Sequence, residues 1–254
     1  MSPILVENRE SVRDFLDADP VENAVVWDRV FQSDGYEVYV DRLPPTGLIA
    51  IRRARRPDGA SFIALHAADP NRAGELSDLV PAGFTIIHVT EEFPLAILAA
   101  RATEFHPKPA WLFQLDSRDF VDRPDDRVRA LGTQWAGRVA KLWNPEWPAE
   151  PYVRHRIETA PTAAIYERGE PVAWALTHMV TDKVGMIGMV HVLEDHRRQG
   201  LARAVVAAVC RDLMRLGKIP ALHAYTDNTA SLTLFPILGF RKVKRQAWGE
   251  GVFR

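Results

Sequence analysis

The chain has 254 residues, 47% of them hydrophobic and 26% charged, with a formal net charge of −1 and a single cysteine, Cys210. That size and mix suit one large or two small globular domains. The near-zero charge excludes a global field for nucleic acid or anionic lipid, and no apolar run approaches the about 18 residues of a membrane span. One cysteine excludes an internal disulfide and fits a reducing compartment, and residues 1–10 carry no charged-then-apolar leader pattern. The expectation is a cytoplasmic protein without nucleic-acid or membrane partners.

In chain order, the pattern predicts short helices over Glu10–Leu16 and Pro20–Phe31, with Pro20 in a first turn. Strands follow over Tyr36–Leu43, Leu48–Ala54 and Ser61–Ala67, separated by turns at Pro44–Gly47 and Arg56–Gly59. The basic run Arg52, Arg53, Arg55 and Arg56 abuts Pro57-Asp58-Gly59 and reads as a solvated hairpin end. A helix over Asn71–Leu79, a strand over Phe84–Val89, a helix over Pro94–Thr103 and a strand over Ala110–Leu115 complete the first half. Polar Asp116–Asp126, with Pro124, is the candidate linker, dividing the chain into domains 1–125 and 126–254.

Beyond it, Leu131, Trp135, Val139 and Leu142 recur at helical spacing and predict a helix over Val128–Trp143, stopped by Asn144-Pro145. Strands are predicted over Ala163–Glu167, Pro171–Met179 and Val184–Leu193, then a helix over Gly200–Leu216. A strand over Ala221–Tyr225, a helix over Asn228–Leu238 and a strand over Phe240–Ala247 close the chain. Both halves therefore read β-β-β-α-β-α-β, in element order though not in sequence identity. The fold class expected is α/β of the α+β type: two tandem lobes, each a mixed, mostly antiparallel sheet flanked by helices.

The stretch from Val190 to Ala204 joins a strand to a helix through Arg197-x-x-Gly200-x-Ala202. Small residues at a helix start leave backbone N–H groups uncovered, and the positive helix end suits a phosphate or pyrophosphate. The corresponding place in the first half, Ala68–Gly74, lacks the motif. On the helix behind it, Arg203, Arg211, Arg215 and Lys218 form an outer stripe with Ala207 between them, and Val205, Val206, Val209, Leu213 and Leu216 face the sheet. Cys210 beside them reads as a buried small hydrophobe, and Gly217 as the residue that ends the helix. No Cys/His cluster has metal spacing, and neither a Gly-x-Ser-x-Gly elbow nor a Walker loop is present.

With these residues in hand, Val192–Ala204 followed by Asn228-x-x-Ser231-x-x-Leu234-Phe235-x-x-x-Gly239-Phe240 resembles the GNAT superfamily of N-acetyltransferases. Lys141–Asn144, Glu170–Trp174 and Gly185–Leu201 resemble its glycine N-acyltransferase branch, whose members also carry an N-terminal lobe of similar fold. The resemblance implies tandem GNAT-like lobes, the second binding acyl-CoA, and acyl transfer, with acetyl-CoA as the favoured co-substrate and no metal. It implies a small-molecule amine, an amino acid or a peptide amine as acceptor. The implied cofactor-binding positions are Val190, Val192, Leu193, Arg197, Arg198, Gln199, Gly200, Leu201, Ala202, Arg203, Asn228, Ser231 and Phe235, with Tyr225 closing the channel.

The chain departs from that pattern in three places. Met186 stands where the branch has its glutamate base, Phe235 where many members have a proton-donating tyrosine, and Pro236 inside the closing helix, which should kink or end there. His191, on the motif strand, is the candidate base, with an ordinary pKa near ~6.5 suited to neutral pH. The alternative for His191 is a strand histidine satisfied by a neighbour. His178 reads as a surface histidine, with a cross-strand partner as the alternative, and His196 as a CoA-phosphate contact or a solvated group. Glu194 and Asp195 read as solvated loop carboxylates or helix caps, His223 as core or channel lining, and Asn228 as a helix N-cap as well. Trp135, Trp143, Trp147 and Trp174 read as core or inter-lobe seam, with an acceptor-pocket wall as the alternative. An acyl-CoA sensor without transfer activity is the alternative function.

Overall fold

The computed structural model describes residues 2–56 and 59–254; the turn expected at Pro57-Asp58 lies outside the described residues. The chain folds as two compact units. The first holds Met1–Leu112, Tyr225–Asp227 and Val243–Arg254; the second holds Phe113–Ala224 and Asn228–Lys242. The expected cut after residue 125 falls inside the second unit, and the last strand belongs to the first.

In the first unit, β1 (Ile4–Leu5), a 3-10 turn (Arg9–Val12), α1 (Arg13–Asp17) and α2 (Ala24–Phe31) lead into antiparallel β2 (Glu37–Val40), β3 (Gly47–Arg52) and β4 (Ser61–Ala67). Helix α3 (Pro70–Ser77) crosses to β5 (Gly83–Val89), parallel to β4, and α4 (Pro94–Arg101) leads to β6 (Ala102–Gln114), whose last two residues fall in the second unit. The sheet runs β1-β2-β3-β4-β5, then β12 (Arg241–Phe253), then β6. β12 pairs antiparallel with β5 from Ala247↔Val89 to Phe253↔Gly83. Gly251 lies close against its neighbour β6: a Cβ there would stand 2.6 Å from the Glu104 carbonyl oxygen and 3.0 Å from the Phe105 ring. The core joins Ile49, Ile51, Ile63, Leu65, Ile87 and Val89 of the sheet to Leu76 of α3, Leu98 of α4 and Phe253 of β12. Burial of each such side chain contributes about 1.5–3 kcal/mol.

In the second unit, β7 (Val128–Arg129), a 3-10 turn (Thr133–Trp135), α5 (Ala136–Trp143) and α6 (Glu150–Thr159) precede antiparallel β8 (Thr162–Glu167), β9 (Glu170–Val180) and β10 (Val184–Val192). A 3-10 turn (Glu194–His196), α7 (Leu201–Arg215), β11 (Ile219–Tyr225, its last residue in the first unit) and α8 (Thr229–Ile237) follow. The strand order is β11-β10-β9-β8-β7, with β10 and β11 parallel. Helix α7 packs on the sheet through buried Val205, Val206, Val209 and Leu213. Gly185 on β10 admits Leu213, whose Cδ2 lies 2.3 Å from where a Cβ would stand. A second cluster joins Trp174 and Leu176 of β9 to Val139 and Ala140 of α5 and Val153 of α6.

Each half thus carries β-β-β-α-β-α-β, as expected, in two tandem lobes. Several boundaries differ. The helix expected over Val128–Trp143 is α only from Ala136, because Val128 pairs with Ile165 and the Leu131 N–H donates to the Thr162 hydroxyl. Helix α6 escaped the pattern altogether: among its ten residues only Val153 is buried. The helix expected from Pro20 starts at Ala24, and β6 and β12 run to 13 residues each, past the expected strands. Pro236 does not stop α8 near Leu232; it sits in the last turn, one residue before the end, where few later N–H groups remain to be lost. On α7, Ala207 is buried and Leu216 is 60% exposed, so the outer and inner stripes exchange these two. Cys210 is fully buried and burial pushes its thiol well above the usual range.

Candidate functional site

The motif lies on the strand–turn–helix from β10 to α7. Gly200 caps α7 in the left-handed region (φ 76°) and Arg198 before it is left-handed too (φ 63°). No side chain caps the helix, and its first bond runs from the Ala204 N–H to the Gly200 carbonyl. The N–H groups of Leu201, Ala202 and Arg203 therefore precede the first turn's bonding and point out of the helix end. Leu201 is itself buried, so it offers backbone alone. Arg197, Arg198 and Gln199 are exposed, and the Arg203 guanidinium reaches over Gly200, 3.8 Å from where its Cβ would stand. Cations at a positive helix end are unfavourable on their own. The Arg203 guanidinium beside uncapped donors, with exposed Arg197 and Arg198 in the loop before them, fits an anion such as a pyrophosphate.

β10 supplies the second part. Its parallel ladder with β11 ends at Ile187↔Leu222, while its ladder with β9 continues to Val192↔Ala173. From Gly188 onward the side of β10 facing β11 has no ladder partner in that register. Between Gly188 and His191 the register with β9 shifts, and Met189 adopts a positive φ of 52°, so the strand bulges. The Leu193 N–H is bonded to the Val172 carbonyl at 2.9 Å. By the two-residue repeat of a strand, Val192 turns its N–H group to the open side. Arg197 donates from Nε to the Val192 carbonyl at 3.4 Å.

The histidines fall in different settings. His191 stacks on buried Trp174 with centroids 4.8 Å apart and planes at 22°. Burial, then the nearby Arg197 and Arg138 cations, hold its pKa below the ordinary value, so it is neutral at pH 7. His178, expected at the surface, is bonded instead: its Nδ1 lies 2.9 Å from the Tyr152 hydroxyl, which donates to the His178 carbonyl at 2.6 Å. His196 Nε2 lies 3.1 Å from Glu167, and Glu194 and Asp195 are exposed in the 3-10 turn. His223 is half-buried on β11, and Tyr225 falls in the first unit.

Asn228 accepts the Ser231 N–H at 3.0 Å and so caps α8, as expected. Phe235 is buried between Phe113 and Phe240, at 5.8 and 5.7 Å, and Met186 is buried. Gly239 after them is obligatory: φ is 96°, and a Cβ would lie 1.9 Å from the Asp119 carbonyl oxygen. Of the four tryptophans, Trp174 is core, whereas Trp143 and Trp147 are 37% and 39% exposed. Sequence reasoning missed Tyr152, which lies on the helix it missed, and the bulge at Met189, which no residue type announces. Among the described residues no group of three His, Cys, Asp or Glu could hold a metal.

Residues 164–249 match the family described as FR47-like protein. No curated protein matches the sequence. Among solved structures, a Drosophila protein superposes with a TM-score of 0.75 at 17% identity, over 98% of each chain. A GCN5-related N-acetyltransferase-like protein from Streptococcus suis does so with a TM-score of 0.60 at 19% identity, over 96% of this chain and 99% of its own. A tandem GNAT protein from the clavulanic acid biosynthesis pathway gives 0.58 at 15% identity, over 99% of this chain and 97% of its own. The chain has the GNAT N-acetyltransferase fold, in two tandem lobes.

Proposed function

We propose that the protein is an acyl-CoA-dependent N-acyltransferase, with acetyl-CoA as donor and an amine as acceptor. One observation carries this reading: the uncapped, arginine-flanked start of α7 stands directly after a strand whose edge is open. The N–H groups near Gln199, Gly200, Ala202 and Arg203 hold the pyrophosphate, and Arg198 and Gly200 shape the loop around it. The pantetheine arm lies along the open edge of β10 and bonds to Val190 and Val192 as an added strand would. An N–H of that edge polarises the thioester carbonyl as negative charge develops on its oxygen. Leu193, Ser231 and Phe235 act through the backbone and packing that hold this strand and α8 in place.

The amine's proton goes to an imidazole, and His191 and His178 both stand on the face of β9 and β10 that carries Trp174. His191, neutral at pH 7, is one candidate base. Likeness to the glycine N-acyltransferase branch supports a small acceptor, but buried Met186 in place of that branch's glutamate argues against glycine itself. Among the described residues no helix is long and apolar enough to cross a membrane. With the lone buried cysteine, this supports a cytoplasmic setting.

Release of free thiol from acetyl-CoA, measured across a panel of amines, tests the reading. Amine-dependent release supports it; no turnover with any amine or short acyl-CoA contradicts it. A second reading, an acyl-CoA sensor without transfer, is favoured by Met186 and Phe235, apolar and buried where acid–base groups would stand. It predicts thermal stabilisation by CoA and no transfer.

A further inference from the structure

The acceptor end of this site can be read from side chains that the fold alone does not assign. His178 on β9 lies directly over Gly188, where the bulge of β10 begins: a Cβ on Gly188 would stand 3.0 Å from the His178 Cβ and 3.5 Å from its Cγ. A side chain at this point would press on His178 and make it give by a few tenths of an ångström. Tyr152, from α6, has one hydroxyl hydrogen, and the 2.6 Å contact gives it to the His178 carbonyl. The hydroxyl oxygen then accepts the Nδ1–H across 2.9 Å. That tautomer puts the lone pair of the neutral ring on Nε2.

Aromatic rings surround this pair. Trp143 meets His178 edge-on at 5.6 Å and stacks on Tyr152 at 5.9 Å. Trp147 contacts Trp143 at 6.0 Å and Tyr152 at 6.1 Å. Each indole keeps more than a third of its surface exposed, and both lie outside the core cluster of α5, α6 and β9. Wide exposed ring faces beside a basic nitrogen suit a flat or apolar partner.

Resting on the acyl-transfer reading, we propose that the Tyr152–His178 pair with Trp143 and Trp147 is the acceptor subsite, where His178 takes the proton of a primary amine borne on an aromatic or apolar body. The amine nitrogen bonds to the thioester carbonyl carbon and its proton passes to Nε2. The C–S bond breaks, and the departing sulfur takes that proton, giving amide and free thiol. His178 is the catalytic residue and Tyr152 the positioning residue that fixes its tautomer.

The test uses the full chain, acetyl-CoA, and phenethylamine, methylamine, glycine and glutamate as acceptors. Phenethylamine is expected to give the highest kcat/KM. H178Q should lower kcat about 100-fold or more with CoA affinity by calorimetry unchanged, and a larger loss than H191Q. W147A should raise KM for phenethylamine about fivefold and leave that for methylamine in place. Y152F should lower kcat and shift the His178 ring ¹⁵N signals toward a mixture of tautomers. Should H178Q lose CoA binding, H178N and Y152F are read in its place. If H178Q keeps kcat within twofold at intact CoA affinity, the assignment of His178 is overturned while acyl transfer stands. If glycine or glutamate outcompetes phenethylamine, the acceptor class is overturned. No turnover by the unaltered protein with any amine overturns the acyl-transfer reading and this one with it.

Discussion

Helices α3 and α7 hold the same place in their repeats, each crossing between two parallel strands, yet their first turns are opposites. At α3, the Asp69 carboxylate accepts the Asn71 and Arg72 N–H groups at 2.9 and 3.0 Å, and Pro70 has no N–H to offer. At α7, Gly200 has no side chain, and the three N–H groups after it face out of the helix end with the Arg203 guanidinium nearby. The first lobe satisfies its helix end with its own anion; the second leaves the same donors uncapped, where we propose that the pyrophosphate binds. A duplicated architecture therefore need not duplicate a site, and what separates the copies is a few residues at one helix start.

Writing the first lobe's solution into the second should break that difference. Gly200→Asp puts a carboxylate where the pyrophosphate is proposed to bind, and aspartate tolerates the left-handed backbone there. CoA affinity by calorimetry should fall about 100-fold or more, since each charge-assisted bond lost is worth about 1.5–3 kcal/mol, while the helical circular dichroism stays.

The penultimate residues of β4 and β10 extend the comparison to acid. His66 accepts or donates a bond with Thr90 at 3.1 Å and meets Phe15 edge-on. Burial first, and Lys244 second, push its pKa down to about 4. A histidine held neutral stabilises the fold fully above its unfolded pKa of about 6.5 and loses that contribution as pH falls toward its folded value. Stability should drop by roughly 3 kcal/mol over that range. His66→Gln should flatten the fall by about one proton, read from urea midpoints at pH 7 and 4.5. His191 is lowered too, so His191→Gln should change the slope in the same sense.

Smaller effects sharpen the contrast. Arg203→Ala should weaken CoA about tenfold, less at high salt. Asp69→Ala should cost about 1 kcal/mol of stability through the lost cap. It should create no CoA site, because Pro70 lacks a donor and the one arginine from Ala68 to Gly74, Arg72, is paired with Glu75 and Asp41.

Much of this was legible from local pattern. The strand over Ser61–Ala67 was bounded correctly, and the Arg197–Ala202 turn announced its helix, because alternation, small residues and caps act within a few positions. Helix α6 was not legible: Glu150–Thr159 buries Val153 alone, too little for a periodic stripe. Pro107 and Pro109 concealed the length of β6. The placement of β12 against β5 depends on partners more than 150 residues away and leaves no local mark. At the site, the cofactor end followed from a motif, whereas Tyr152 meets His178 only through the packing of α6 on β9.

The most direct test is the stoichiometry of CoA binding to the unaltered chain by calorimetry. One molecule per chain, abolished by Gly200→Asp and untouched by Asp69→Ala, is the result predicted. Two molecules per chain, or a single site indifferent to Gly200→Asp, would contradict the account.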